Sequence, residues 1–292
     1  MISRVTHHTV QRSTLANLQL NLSKMAELQN QMSSGKKVNV PSDDPAAASD
    51  MLRLSAEQRV NSQYARNAGD AASWLQTVDT AITASTAALR QVRDLTVQGG
   101  NGALGQASLN ALADELESLG ETLLSNANTS FVGRSVFAGT SDAGVAFDAS
   151  YSWTGSGATV ERRLSSTTTV RVDGDGAAVY GTGTGSVFAL VDRIVADLRA
   201  GQDPTAHLGA IDSRLESMLS ELASVGARHK NVLATQQTLM AQDIETGSRL
   251  SEIEDIDLAS IILDLQSQEV AYKGALGATA KVLQPTLLDF LR

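Results

Sequence analysis

Between Asp44 and Gly99 the chain carries a stripe that one secondary structure alone can use. Apolar or small residues at Ala47, Met51, Leu54, Ala65, Ala68, Ala72 and Leu75 keep heptad spacing, and after a slip of one residue the stripe continues through Val78, Ile82, Leu89 and Val92. Gln58 and Asn61 dilute its middle. The spacing predicts a helix of about 50 residues, about 75 Å long at 1.5 Å per residue. That length does not fit in a compact globule and calls for a rod or a coiled-coil assembly. Asp44 is the expected cap, with Pro45 in the first turn, where a missing amide costs nothing. All four prolines, Pro41, Pro45, Pro204 and Pro285, fall where helices should begin or end.

The same spacing recurs on both sides of a break. Gly99, Gly100, Asn101, Gly102 and Gly105 end the rod, and Leu109, Leu112, Leu116, Leu119 and Leu123 predict a third helix folding back on it. Val187, Leu190, Val191, Ile194 and Leu198 form a short stripe closed by Gly201 and Pro204. A long one follows through Leu208, Ile211, Leu215, Met218, Leu222, Val225, Val232, Gln236 and Leu239, with His229 at a core position. Helical period is lost only between Phe131 and Phe188, which holds ten of the 23 glycines and seven of the eleven aromatic residues. There Thr159 to Leu164, Thr167 to Val172 and Ala177 to Tyr180 read as short strands, with Asp173-Gly174-Asp175-Gly176 as a hairpin turn.

Two seams close the chain at its ends. Leu15, Leu18, Leu22, Met25 and Met32 are spaced as a coiled-coil seam flanked by Leu28. From Leu250 to Leu291 the sequence reads as one helix, with Ser251 and Glu254 as a capping box and Pro285 as its stop. Its seam runs through Leu258, Ile261, Leu265, Tyr272, Ala275, Thr279 and Val282, interrupted by Gln268 and widened by Ile262, Leu276 and Leu283. One buried stripe does not offset the entropy of ordering a whole helix, so both ends are expected to be loosely ordered in the monomer and to fold on assembly. The residues expected to carry assembly are Leu15, Leu18, Leu22, Met25, Leu258, Ile261, Leu265, Tyr272, Leu276 and Leu283.

The expected fold is mainly α: a long-helix hairpin and coiled-coil bundle formed by both termini, with a small β insertion at the tip. By segment, 1–40 and 250–292 are the paired terminal helices, 41–139 and 183–249 the long-helix rod, and 140–182 the outward-facing β insertion. A net charge of -9 with no basic run argues against nucleic acid or an anionic membrane as partner. Cysteine is absent, which excludes disulfides and thiol chemistry. No stretch has the apolar length of a secretory signal or a membrane span.

No catalytic constellation emerges, and no enzyme activity, metal or cofactor is expected. His7 and His8 are adjacent and diverge on a helix, while His207 and His229 stand alone, a pattern of packing or surface rather than ligation. Asp173 to Gly176 lacks the later acidic ligands of a calcium loop. Glu252, Glu254, Asp255 and Asp257 suit the positive end of a helix dipole. Gly181, Gly183 and Gly185 are followed by no lysine and read as a flexible joint.

Three stretches in this order, Ser34 to Ala48 (SGKKVNVPSDDPAAA), Asn126 to Thr140 (NANTSFVGRSVFAGT) and Leu250 onward with its KVLQPTLLDFL ending, resemble the flagellin superfamily. Asp43-Asp44-Pro45 and the segment from Gly133-Arg134 to Phe137-Ala138-Gly139-Thr140 resemble its hook-filament junction branch more than filament flagellin. The resemblance implies terminal helices lining an inner tube in a helical ring of copies. It implies neighbours in hook-associated protein 1 and flagellin, export through the flagellar type III apparatus to the cell exterior, and a chaperone covering the carboxy-terminal seam. A short filament flagellin is the alternative, and a coiled-coil signalling protein a more distant one.

Overall fold

The computed structural model describes residues 2–283, which fall into two compact units: residues up to Arg59 together with those from Ile244, and Val60–Asp243. Both divisions lie inside long helices, α2 (Pro45–Gly99) of 55 residues and α6 (Leu208–Glu254) of 47. Where the sequence pattern sets boundaries at 40 and 250, packing groups residues 41–59 and 244–249 with the termini. The α2 cap forms where expected: Asp44 Oδ1 accepts from Ala46 N and Ala47 N, each at 3.0 Å, and Pro45 opens the helix.

In the Val60–Asp243 unit the heptad stripes meet in one core. Leu75, Val78, Ile82, Leu89 and Val92 of α2 join Leu112, Leu116 and Leu123 of α3 (Gln106–Ala127), Ile194 and Leu198 of α5 (Val187–Arg199), and Ile211, Met218, Val225 and Val232 of α6. Helices α3 and α5 approach closely at Gly120, where an added Cβ would stand 3.3 Å from Val191 Cγ1. Gln106 Nε2 donates to the carbonyls of Leu198 and Arg199, closing the end of α5.

The glycine-rich stretch shares this core. Strands β1 (Ser130–Phe131) and β2 (Arg134–Ser135) pair antiparallel around Val132 and Gly133, both at positive φ (51° and 76°). Strands β3 (Glu161–Arg163) and β4 (Thr169–Arg171) pair with Arg162 opposite Val170. Phe137, Phe147, Tyr180 and Phe188 are buried together, with the Tyr180 ring centroid 5.3 Å from that of Phe137. The Tyr180 hydroxyl lies 2.8 Å from Ser85 Oγ on α2, and burial pushes the phenol's pKa up.

Two local expectations are corrected here. Ala177 to Tyr180 is not a strand but part of helix α4 (Gly176–Tyr180), because Asp175 Oδ1 accepts from Ala178 N at 3.0 Å and caps two helix-forming alanines. Nor is Asp173 to Gly176 a hairpin turn: the β3–β4 connection is the Ser165 to Thr168 loop. Asp173 is instead buried, accepting from Val160 N at 2.8 Å and from Arg171 Nε and Nη2 at 3.1 and 2.9 Å. Arg228 of α6 fastens the same corner through the carbonyl of Asp173, at 3.0 Å, and the carboxylate of Glu221. Gly174 is required there, since an added Cβ would come within 2.7 Å of the Phe137 ring.

Candidate assembly interface

In the terminal unit, α1 (Ile2–Ser34) and α7 (Leu258–Leu283) pack antiparallel. Two contacts set the direction: Gln268 lies against Asn21, and Lys36 pairs with Asp255 across a short backbone bridge. In that bridge Lys37 N donates to the Glu254 carbonyl at 2.7 Å, and Ile256 N donates to the Gly35 carbonyl at 3.2 Å. The Glu254 carboxylate pairs with Lys36 and raises the ammonium's pKa.

This bridge corrects the expected single helix from Leu250. Ser251 and Glu254 lie in the last turn of α6, and α7 begins only at Leu258, with Asp257 Oδ1 accepting from Ala259 N at 3.0 Å as its cap. The capping box does not form because Glu254 is taken by Lys36 and Ser251 Oγ donates to Asp255. Pro285 and the side chain of Leu283 lie outside the described residues.

On α7 the half-buried or buried positions are Ile261, Leu265, Gln268, Tyr272, Ala275 and Thr279, alternating by four and three, with Glu269 beside them, so the expected seam faces inward from Ile261 to Thr279. On α1 the inward positions are Thr14, Leu18, Asn21, Met25, Leu28 and Gln31. Leu18, Met25, Ile261, Leu265 and Tyr272 are therefore brought together. Leu15, Leu22, Leu258 and Leu276 are not: they remain 57%, 49%, 55% and 44% exposed. The stripe of Leu15 and Leu22 is parallel to the true seam and offset by one residue, which hid Thr14 and Asn21. The signal for them was that polar residues of both helices share one heptad face.

Burial in this pair is thin. Leu28 is the one buried residue among the described side chains of residues 12–34, and Thr279 the one among those of 258–280. Leu20, Ile262, Leu263 and Val270 add further exposed apolar surface. No helix of the described residues is long and apolar enough to cross a membrane. In the other unit His207 Nε2 lies 2.8 Å from the Asp197 carboxylate, while His229 is half-buried on α6. The side chains of His7 and His8 lie outside the described residues.

Residues 5–142 match the family model for the bacterial flagellin N-terminal helical region. Flagellar hook-associated protein 3 of Salmonella typhimurium is 27% identical over 90% of this chain and 90% of its own. The chain is similar to proteins of the flagellin superfamily over nearly its whole length. The flagellin of Bacillus subtilis is 25% identical over 99% of this chain and 100% of its own. The solved structure of a flagellar hook-associated protein from Vibrio parahaemolyticus shares the fold, with a TM-score of 0.68 at 21% identity over 73% of this chain and all of that one. The role these similarities support is structural, within the flagellum, and not enzymatic.

Proposed function

We propose that this chain is the adaptor between hook and filament, its terminal helices packing against neighbouring copies in a helical ring with hook-associated protein 1 below and flagellin above. The observation that carries this reading is the outward apolar face of α1 and α7, formed by Leu15, Leu22, Leu258 and Leu276. A monomer gains nothing from keeping such a face in water, whereas a ring of copies buries it. Thin burial in the pair supports assembly-coupled folding: the helices reach full order only against neighbours. Export through the flagellar apparatus, with a chaperone covering α7 until assembly, belongs to the same reading.

The whole-length match to a flagellin gives the short-filament reading a specific footing. Deletion of the gene, followed by electron microscopy of the cells and an immunoblot of the medium, separates the two. Bare hooks with abundant flagellin in the medium are expected of an adaptor. Bare hooks without exported filament protein, or shortened filaments, would make the chain a flagellin. For the folding step, amide exchange on the isolated chain is expected to be fast in residues 12–32 and 258–280. Strong protection in both would refute coupled folding.

A further inference from the structure

The α1/α7 seam is apolar or small along most of its length, with Leu18, Met25 and Leu28 facing Ile261, Leu265, Tyr272 and Ala275. Its middle is not. Gln268 Nε2 donates to the backbone carbonyl of Asn21 at 3.3 Å and to Asn21 Oδ1 at 3.2 Å, and both side chains are half-buried. A leucine at either position would serve stability better, because an amide must give up water to enter the seam. What an amide pair supplies is a penalty on every other alignment. If α7 slides by one heptad, Leu18 meets Leu265 or Met25 meets Tyr272, and these apolar pairs are as good as the native ones. The slide that sets Met25 against Tyr272 places Asn21 against Ala275 and Gln268 against Leu28, both amides without a partner, whereas the opposite slide sets Asn21 against Ile261 and brings Gln268 to Thr14.

We propose that Asn21 and Gln268 are the specificity-determining residues of the α1/α7 pairing, admitting one antiparallel register and rejecting slipped pairings within a chain and mismatched pairings between copies. The need for such a device follows from the exposed stripes: both helices carry more apolar surface than one partner covers, so the apolar residues alone do not define the mate.

The absence of cysteine makes the register directly readable in the full-length protein. Met25→Cys with Leu265→Cys reports the native alignment, and Met25→Cys with Tyr272→Cys reports the one-heptad slip that strands both amides, each trapped by a short thiol crosslinker. In the parent the native pair is expected to crosslink about tenfold or more over the slipped pair, since a slipped seam strands buried amides. In Asn21→Leu/Gln268→Leu the slipped crosslink is expected to rise to within about threefold of the native one, while helical content holds, leucine being a strong helix former. The exchanged variant Asn21→Gln/Gln268→Asn keeps an amide pair and is expected to keep the parent preference. A slipped crosslink as rare in the double-leucine variant as in the parent would overturn the proposal. So would loss of both crosslinks there, which would make the amides a clamp rather than a selector, or equal slipping in the exchanged variant.

Discussion

Asp173 holds together the corner where β3, β4 and α6 meet, and its removal can be sized from its contacts. Its side chain is 2% exposed and accepts three hydrogen bonds, one from Val160 N and two from Arg171. Asp173→Ala strands the buried Val160 amide, which costs about 1–3 kcal/mol. Arg171 is a third exposed, so the broken ion pair adds about 1 kcal/mol rather than the 3–5 kcal/mol of a fully buried pair. The expected total is about 3 kcal/mol, an effect large enough to read directly. Asp173→Asn still offers Val160 an acceptor and loses only the charge, so about 1 kcal/mol is expected. Both tryptophans, Trp74 and Trp153, lie in the Val60–Asp243 unit, so urea unfolding followed by their fluorescence reads that unit. An alanine variant within about 0.5 kcal/mol of the parent, or an asparagine variant as damaged as the alanine one, would refute this account of the corner.

Three further outcomes follow from local geometry. Val132 is β-branched, 84% exposed and held at φ 51°, so Val132→Asn is expected to stabilise the unit by about 1 kcal/mol in the same fluorescence assay. Gly174→Ala drives a Cβ into the Phe137 ring and is expected to destabilise by about 1–3 kcal/mol, measured as a lowered Tm. Hydrogen bonds from the Ser150 hydroxyl and the amides of Ser152 and Ser150 hold the Asp148 pKa down, against a small opposing effect of burial. A carboxylate depressed in the folded state stabilises fully above its unfolded pKa, about 3.9, and loses that contribution as pH falls through the lowered value. The stability gap between the parent and Asp148→Asn is therefore expected to persist above about pH 4 and to close as pH falls through the lowered pKa, read by denaturant titration at each pH.

The long helices were legible because a heptad stripe repeated over many turns overrides local noise. Every residue of the Val187 to Leu198 stripe is buried, and Ile211, Met218, Val225, Val232 and Leu239 fall on the buried face of α6 as the spacing requires. What escaped were features decided by distant partners or by short segments. Ser251 and Glu254 fit a helix start as well as a helix end, and only Lys36, more than 200 residues away in the chain, decides between them. Asp175 turned four residues into a helical turn too short to show a period. On α1, two heptad stripes differ by one position, and the one with Leu15 and Leu22 faces outward, since Asn21 on the other has its partner in Gln268. The apolar residues alone identified both helices but not which face of α1 meets α7.

The outward face is the centre of the account, and Leu22→Asp tests it most directly. Leu22 is exposed beside the α1/α7 seam, so a carboxylate there leaves the seam contacts in place and places a charge on the surface proposed to meet the next copy. In cells lacking the gene and supplied with this variant, the account predicts exported protein with parental helical content and tryptophan fluorescence, bare hooks, and flagellin released to the medium. Filaments of normal number and length on those cells would contradict it.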